Sequence, residues 1–200
     1  MKQLFLLPLV AIMTFAAPTT LTPKERKFAK DHLQNTKKDL LKTINGLSEA
    51  QLKFKPAPDR WSVEECMMHI ATSERLMWGM IEDSLKQRPN PEKRAEIKMT
   101  DEQLISAIQN RTQKFKAPEV IQPQNSGFKT TEEALSSFKA NRDKTIELIN
   151  STDADMRNHV VNFPVGVMDT YQMTLLMSSH SNRHTQQMKE VIADPNFPKQ

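Results

Sequence analysis

The sequence predicts an all-α fold, a four-helix bundle with a short extra helix in the crossover. Apolar residues recur at spacings of three and four through four long segments. Several of these segments open on a hydroxyl or acidic residue with Glu or Gln three positions later, the pattern of a helix N-terminus. Glycine is scarce, at 4 residues, and methionine abundant, at 12, which favours helices over a turn-rich β fold. The length of 200 residues is ample for one buried core and suggests one domain.

The first helix opens at Thr22-Pro23, where a hydroxyl cap precedes a proline whose missing N–H costs nothing in the first turn. Ala29, Leu33, Thr36, Leu40, Ile44 and Leu47 form its inner stripe, and Gly46 marks its end. Ser48 to Leu52 has room for one short turn, and two prolines in Lys55–Asp59 make that stretch a loop. Ser62-Val63-Glu64-Glu65 is a capping box for a second helix running to about Gln87, with Val63, Cys66, Ile70, Met77 and Ile81 inward. Arg88 to Lys98 reads as a polar loop. Thr100 to Gln103 caps the shorter helix, lined by Leu104, Ile108 and Phe115, and Pro118 to Gly127 is irregular. Thr130-Thr131-Glu132-Glu133 opens the next long helix, which presents Leu135, Phe138, Thr145 and Ile149 and ends near Asn150. Ser151 to Gly166 is a connection. Asp169 caps the last helix, from Thr170 to about Ala193, and Asp194-Pro195 stops it.

Residues 1–16 read as a signal peptide, with the domain occupying 17–200. Lys2 precedes an apolar run from Leu4 to Phe15, and Thr14-Phe15-Ala16 ends in the small residues a signal peptidase reads. The run is too short to span a bilayer comfortably, which disfavours a membrane anchor. The expected location is therefore periplasmic or secreted, with no membrane association after cleavage. The net charge of +4 is spread among acidic residues, with no basic patch for nucleic acid. The single cysteine, Cys66, excludes an internal disulfide, so packing must hold the core together.

His180 and His184 lie four apart on the last helix, which puts both imidazoles on one face, one turn apart. They fall in the same strip as Met173, Leu176, Gln187 and Val191 rather than on a polar face. A buried imidazole needs partners for its ring nitrogens, and two in one apolar strip are readily explained by a shared cation. His69 sits beside Ile70 on the second helix; alone it would more often be a core histidine with a hydrogen-bond acceptor. Together, His69, His180 and His184 supply three nitrogens from two facing helices and leave a fourth position open, as in catalytic zinc-type sites. Cys66 is more simply a small buried hydrophobe than a fourth ligand. His32 and His159 are not assigned to the site. Glu65 suits a capping role or a role beside His69 equally well. Gln187 and Arg183 are placed to orient ligands, and Trp61 reads as a core anchor.

Two stretches resemble the signatures of the DinB-like superfamily, which includes the YfiT type. One is Lys55-Pro56-Ala57-Pro58-Asp59-Arg60-Trp61-Ser62-Val63-Glu64-Glu65-Cys66-Met67-Met68-His69-Ile70, where a proline-bearing loop leads through Trp-Ser into a helix carrying His. The other is Asp169-Thr170-Tyr171-Gln172 followed by His180-Ser181-Asn182-Arg183-His184-Thr185-Gln186-Gln187. Asp194-Pro195-Asn196-Phe197-Pro198 fits one branch of the same family, and the likeness runs from roughly Phe28 to Pro198. The resemblance implies a four-helix bundle holding one divalent metal ion, nickel or zinc first, on His69, His180 and His184. It also implies a metal-dependent hydrolase or a transferase of small thiols, acting on a small molecule, and a homodimer. An export signal is a departure from many members and bears against a cytosolic thiol substrate. The competing expectation is a metal-stabilised bundle without catalysis, serving as a structural or interaction module.

Overall fold

A computed structural model describes residues 20–199. The signal-peptide expectation for residues 1–16 lies outside them. Four long helices form the body: α1 (Pro23–Ile44), α3 (Val63–Lys86), α5 (Thr131–Ser151) and α6 (Thr170–Ile192). Between them stand short α2 (Glu49–Lys53), α4 (Asp101–Gln109) in the crossover, and a hairpin of β1 (Val160–Phe163) and β2 (Gly166–Asp169). The expected all-α bundle with an extra crossover helix is therefore the observed architecture. Among the described residues no helix is long and apolar enough to cross a membrane.

The caps expected at Thr22, Ser62 and Thr100 are made, and Ser48 adds another. Thr22, Ser48, Ser62 and Thr100 each accept from the backbone N–H three residues on, and the Glu or Gln at that position reaches back to close the box. Because Ser62 fixes the first turn of α3, and α3 carries His69, Ser62→Ala is expected to cost about 1 kcal/mol. A urea titration that leaves the midpoint unchanged would contradict this.

Side-chain pairs define the helix directions. Tyr171 Oη donates to the Glu25 carbonyl, His32 meets Ser179, and Lys189 pairs with Asp39, so α1 and α6 run parallel. Arg26 reaches the Ile149 carbonyl and Lys37 reaches Asp143, so α1 and α5 are antiparallel. Thr131 bonds Glu64 and Arg142 bonds Glu74, making α3 and α5 parallel. Ser84 bonds Thr170 while His69 meets His180, making α3 and α6 antiparallel. The order of directions along the chain is thus up, down, down, up. Neighbouring helices in the ring are α1–α6, α6–α3, α3–α5 and α5–α1, which leaves α1 diagonal to α3. Parallel α3 and α5 cannot be joined by a tight turn, which is why the long crossover with α4 exists. That crossover packs α4 against α6.

Three features differ from the sequence reading. The connection after α5 contains the hairpin, with Val160 opposite Asp169 and Phe163 opposite Gly166 around Pro164-Val165. Gly166 has φ +130°, which an L side chain rarely adopts. Helix α4 stops at Gln109, because the Asn110 side chain turns back to accept from the N–H and hydroxyl of Thr112. Phe115 is consequently not on an inner stripe; it is 73% exposed, with the Arg183 guanidinium over its ring. Finally, 3-10 turns form at Pro91–Glu96, Glu119–Ile121 and Pro123–Asn125, in stretches expected to be irregular.

Among the described residues the core comprises three apolar clusters along the bundle. Leu40, Val63, Met67, Ile70, Phe138 and Met188 fill one end, and Met77, Ile81, Leu104, Met168, Met173 and Met177 the face under α4. One ion pair lies among them. Arg142 and Glu74 are both fully buried, and Arg142 also donates to the Leu33 carbonyl, Thr36 and Ser181.

Candidate metal centre

His69 is delivered by α3 and His180 and His184 by α6, and the antiparallel seam between these helices brings the three rings together. Their ring centroids are 5.0, 4.4 and 4.7 Å apart, taken as His69–His180, His69–His184 and His180–His184. One nitrogen from each lies within 4.8 Å of the others. His69 Nε2 and His180 Nε2 are 3.2 Å apart. Two nitrogens held tetrahedrally by one ion at about 2.1 Å stand about 3.4 Å apart, so this spacing already suits a shared cation.

Two of the rings are oriented from behind. His69 Nδ1–H donates to the Ile121 carbonyl at 2.6 Å, which turns the Nε2 lone pair inward toward the other rings. His184 Nδ1–H donates to Gln187 Oε1 at 3.0 Å. The same oxygen receives the Arg111 guanidinium at 3.4 Å, and Arg111 is itself fixed on Glu190. This chain settles which end of the Gln187 amide faces the histidine. Trp61 lies 4.8 Å from the His69 ring and stacks on His184 at 5.7 Å, walling the cluster as well as anchoring the core.

Burial keeps all three imidazoles neutral at ordinary pH. It pushes His69 down to about 4, against the bond to Ile121, and His180 down to about 3, with His69 and Arg183 adding to the effect. His184 is held well below the usual histidine range by burial and by the two neighbouring rings. Neutral rings offer lone pairs, which a cation needs.

The other sequence candidates sort clearly. Gln187 touches His184, as expected. Arg183 hydrogen-bonds none of the three histidines; it donates to the Ile108, Asn110 and Gln113 carbonyls and ties the crossover to α6. Glu65 caps α3 and pairs with Lys55. Cys66 is buried in the core cluster, and burial pushes its thiol far up, which makes it inert. His32 bonds Ser179, and His159 sits between the Asp155 and Gln87 carbonyls, so both serve packing. The Ile121 carbonyl and Arg111 were not anticipated, because a distant loop supplies them. Two surface cavities, of about 420 and 440 Å³, are lined by other residues than the three histidines.

Three neutral imidazoles on facing helices of an up-down-down-up bundle define a helical histidine-cluster protein. The chain belongs to the DinB superfamily, whose model matches residues 32–188. It is 26% identical over 149 residues to YuaE, an uncharacterized protein of Bacillus subtilis (strain 168), covering 74% of this chain and 87% of that one. Its fold is similar to that of YfiT from Bacillus subtilis, described as a probable metal-dependent hydrolase with an unusual four-helix bundle topology. That likeness has a TM-score of 0.60 at 14% identity and spans 94% of this chain and 97% of YfiT.

Proposed function

We propose that this protein is an exported metal-dependent hydrolase or transferase, with one divalent ion, nickel or zinc, held by His69, His180 and His184. The observation that carries the reading is the convergence of three uncharged ring nitrogens, two of them aimed by acceptors on their far side. The residues fit such an ion: all three donors are neutral imidazoles, and a buried nitrogen, His180 Nδ1, has no hydrogen-bond partner to justify its ring as an ordinary core histidine. Imidazole sets suit nickel and zinc alike. YfiT is described as a probable metal-dependent hydrolase, which supports the class of chemistry.

When bound, such an ion supplies Lewis-acid polarisation and lowers the pKa of water or a thiol at its open position. The chain contributes the rest. Ile121 and Gln187 orient the rings, Trp61 shields them, and Arg183 and Arg111 hold the crossover against α6. Export rests on Lys2 and the Leu4–Phe15 run, and N-terminal sequencing of protein recovered outside the cytoplasm tests it.

Elemental analysis of untagged protein prepared without chelator is the decisive experiment. About one divalent ion per chain is expected in the wild type, and none in a His69/His180/His184 triple alanine variant. His180→Ala alone should lose metal and turnover together. An unchanged metal content in that variant would overturn the ligand assignment.

A further inference from the structure

Two buried polar atoms among the described residues have no hydrogen-bond partner: Ser73 Oγ and His180 Nδ1. They belong to opposite sides of one seam. On α3, Ser73 falls one turn beyond His69 and one turn before Met77, and all three are buried. On α6, His180 lies between Leu176 and His184. Ser84 pairs with Thr170 at one end of this antiparallel seam and His69 meets His180 and His184 at the other. Counting back along α3 from Ser84 and forward along α6 from Thr170 brings Ser73 level with His180. Ser73 also makes no bond to the carbonyl one turn behind it, as Thr72 does to Met68 at 2.9 Å. Its hydroxyl is thus uncommitted.

We propose that Ser73 is the positioning residue of His180, reaching Nδ1 by rotation of its side chain or through one bridging water. The inference rests on the metal-site reading above. Proton bookkeeping in the cluster gives the reason a hydroxyl stands there. A carbonyl only accepts, so Ile121 fixes the His69 proton on Nδ1 and leaves Nε2 as an acceptor. The Gln187 oxygen, itself held by Arg111, does the same for His184. The 3.2 Å contact between His69 Nε2 and His180 Nε2 then needs its proton from His180. In the metal-free protein His180 therefore carries Nε2–H, and Nδ1 is an acceptor. To give Nε2 to an ion, His180 must carry its proton on Nδ1 instead. Its partner must donate in the first state and accept in the second. A hydroxyl does both, whereas a carbonyl or carboxylate does not.

The test uses Ser73→Ala and the hydroxyl-keeping Ser73→Thr. Zinc affinity, read by chelator competition, should fall about 10–100-fold in Ser73→Ala, the range typical of lost ligand-orienting bonds, and recover in Ser73→Thr. Nitrogen-15 NMR should show His180 as the Nε2–H tautomer without metal and the Nδ1–H tautomer with zinc. In metal-free Ser73→Ala the Nδ1 resonance should move toward that of an unbonded acceptor nitrogen. An unmoved Nδ1 resonance together with unchanged zinc affinity would overturn the proposal, as would Nδ1–H on His180 before zinc is added. Should the wild type take up no zinc, the metal reading fails, while the metal-free spectra still decide whether Ser73 bonds His180.

Discussion

Arg142→Ala is expected to lose about 3–5 kcal/mol of folding stability, a large part of the 5–15 kcal/mol that holds a typical domain. Arg142 is fully buried on α5 and its guanidinium grips the buried Glu74 carboxylate on α3, the Leu33 carbonyl and Thr36 on α1, and Ser181 on α6. One side chain thus ties all four long helices. Burial pushes the Glu74 carboxyl up to about 7, and Arg142 is what holds it back. Without that partner the carboxyl must stay buried and unpaired or take up a proton. The folded-state pKa of Glu74 then rises further above the unfolded value, so the variant's deficit should shrink as pH falls through it. Urea midpoints of the variant and the wild type at pH 8 and pH 6 measure both effects. The double variant Glu74→Leu with Arg142→Met removes both charges at similar volume and should recover most of the loss. A single variant within about 1 kcal/mol of the wild type would show that the pair does not organise the core.

This pair also marks a limit of sequence reading. The four long helices follow from periodicity, and their starts from caps whose partners lie within three residues. The inner stripes follow from apolar residues, and Glu74 and Arg142 interrupt them. Each lies one turn after an identified core residue, Ile70 and Phe138. Opposite charges at matching places on two stripes are a sequence sign of a buried pair. The hairpin has a local signal as well, in Val160-Val161 and Val167 on either side of Pro164-Val165-Gly166. Apolar spacing carries helix α4 on toward Phe115, whereas the Asx turn at Asn110 ends it. At the site, His180 and His184 were legible because helical spacing is local. His69 was legible by stripe and by resemblance, and Gln187 by its one-turn distance from His184. The Ile121 carbonyl and Arg111 had no sequence signal, since backbone groups and crossover loops reach the cluster only through the tertiary fold.

Acid should destabilise the metal-free protein well before its exposed carboxylates protonate. Four imidazoles are held below their ordinary value of 6.5 by burial: His32 and His69 at about 4, His180 at about 3, and His184 well below the usual range. Below pH 6.5 the unfolded chain takes up protons on these rings while the folded chain does not. Stability is therefore full above about 6.5 and drains as pH falls toward the folded values, at about 1.4 kcal/mol per unit for each ring. Two groups oppose this. Burial raises Asp169 to about 6 and Glu74 to about 7, and both bind protons more readily in the folded state. Four rings against two carboxyls leaves a net loss of about 2–4 kcal/mol between pH 6.5 and 5. Urea midpoints with chelator present should fall across that interval, and the His69/His180/His184 triple variant should abolish the fall or reverse it, because His32 alone then stands against Asp169 and Glu74. Added zinc should counter the fall in the wild type alone, because a bound cation withholds the same lone pairs from protons. A midpoint that stays level in the chelated wild type would mean that the rings are already protonated or solvated in the fold, and neither state suits a neutral three-nitrogen site.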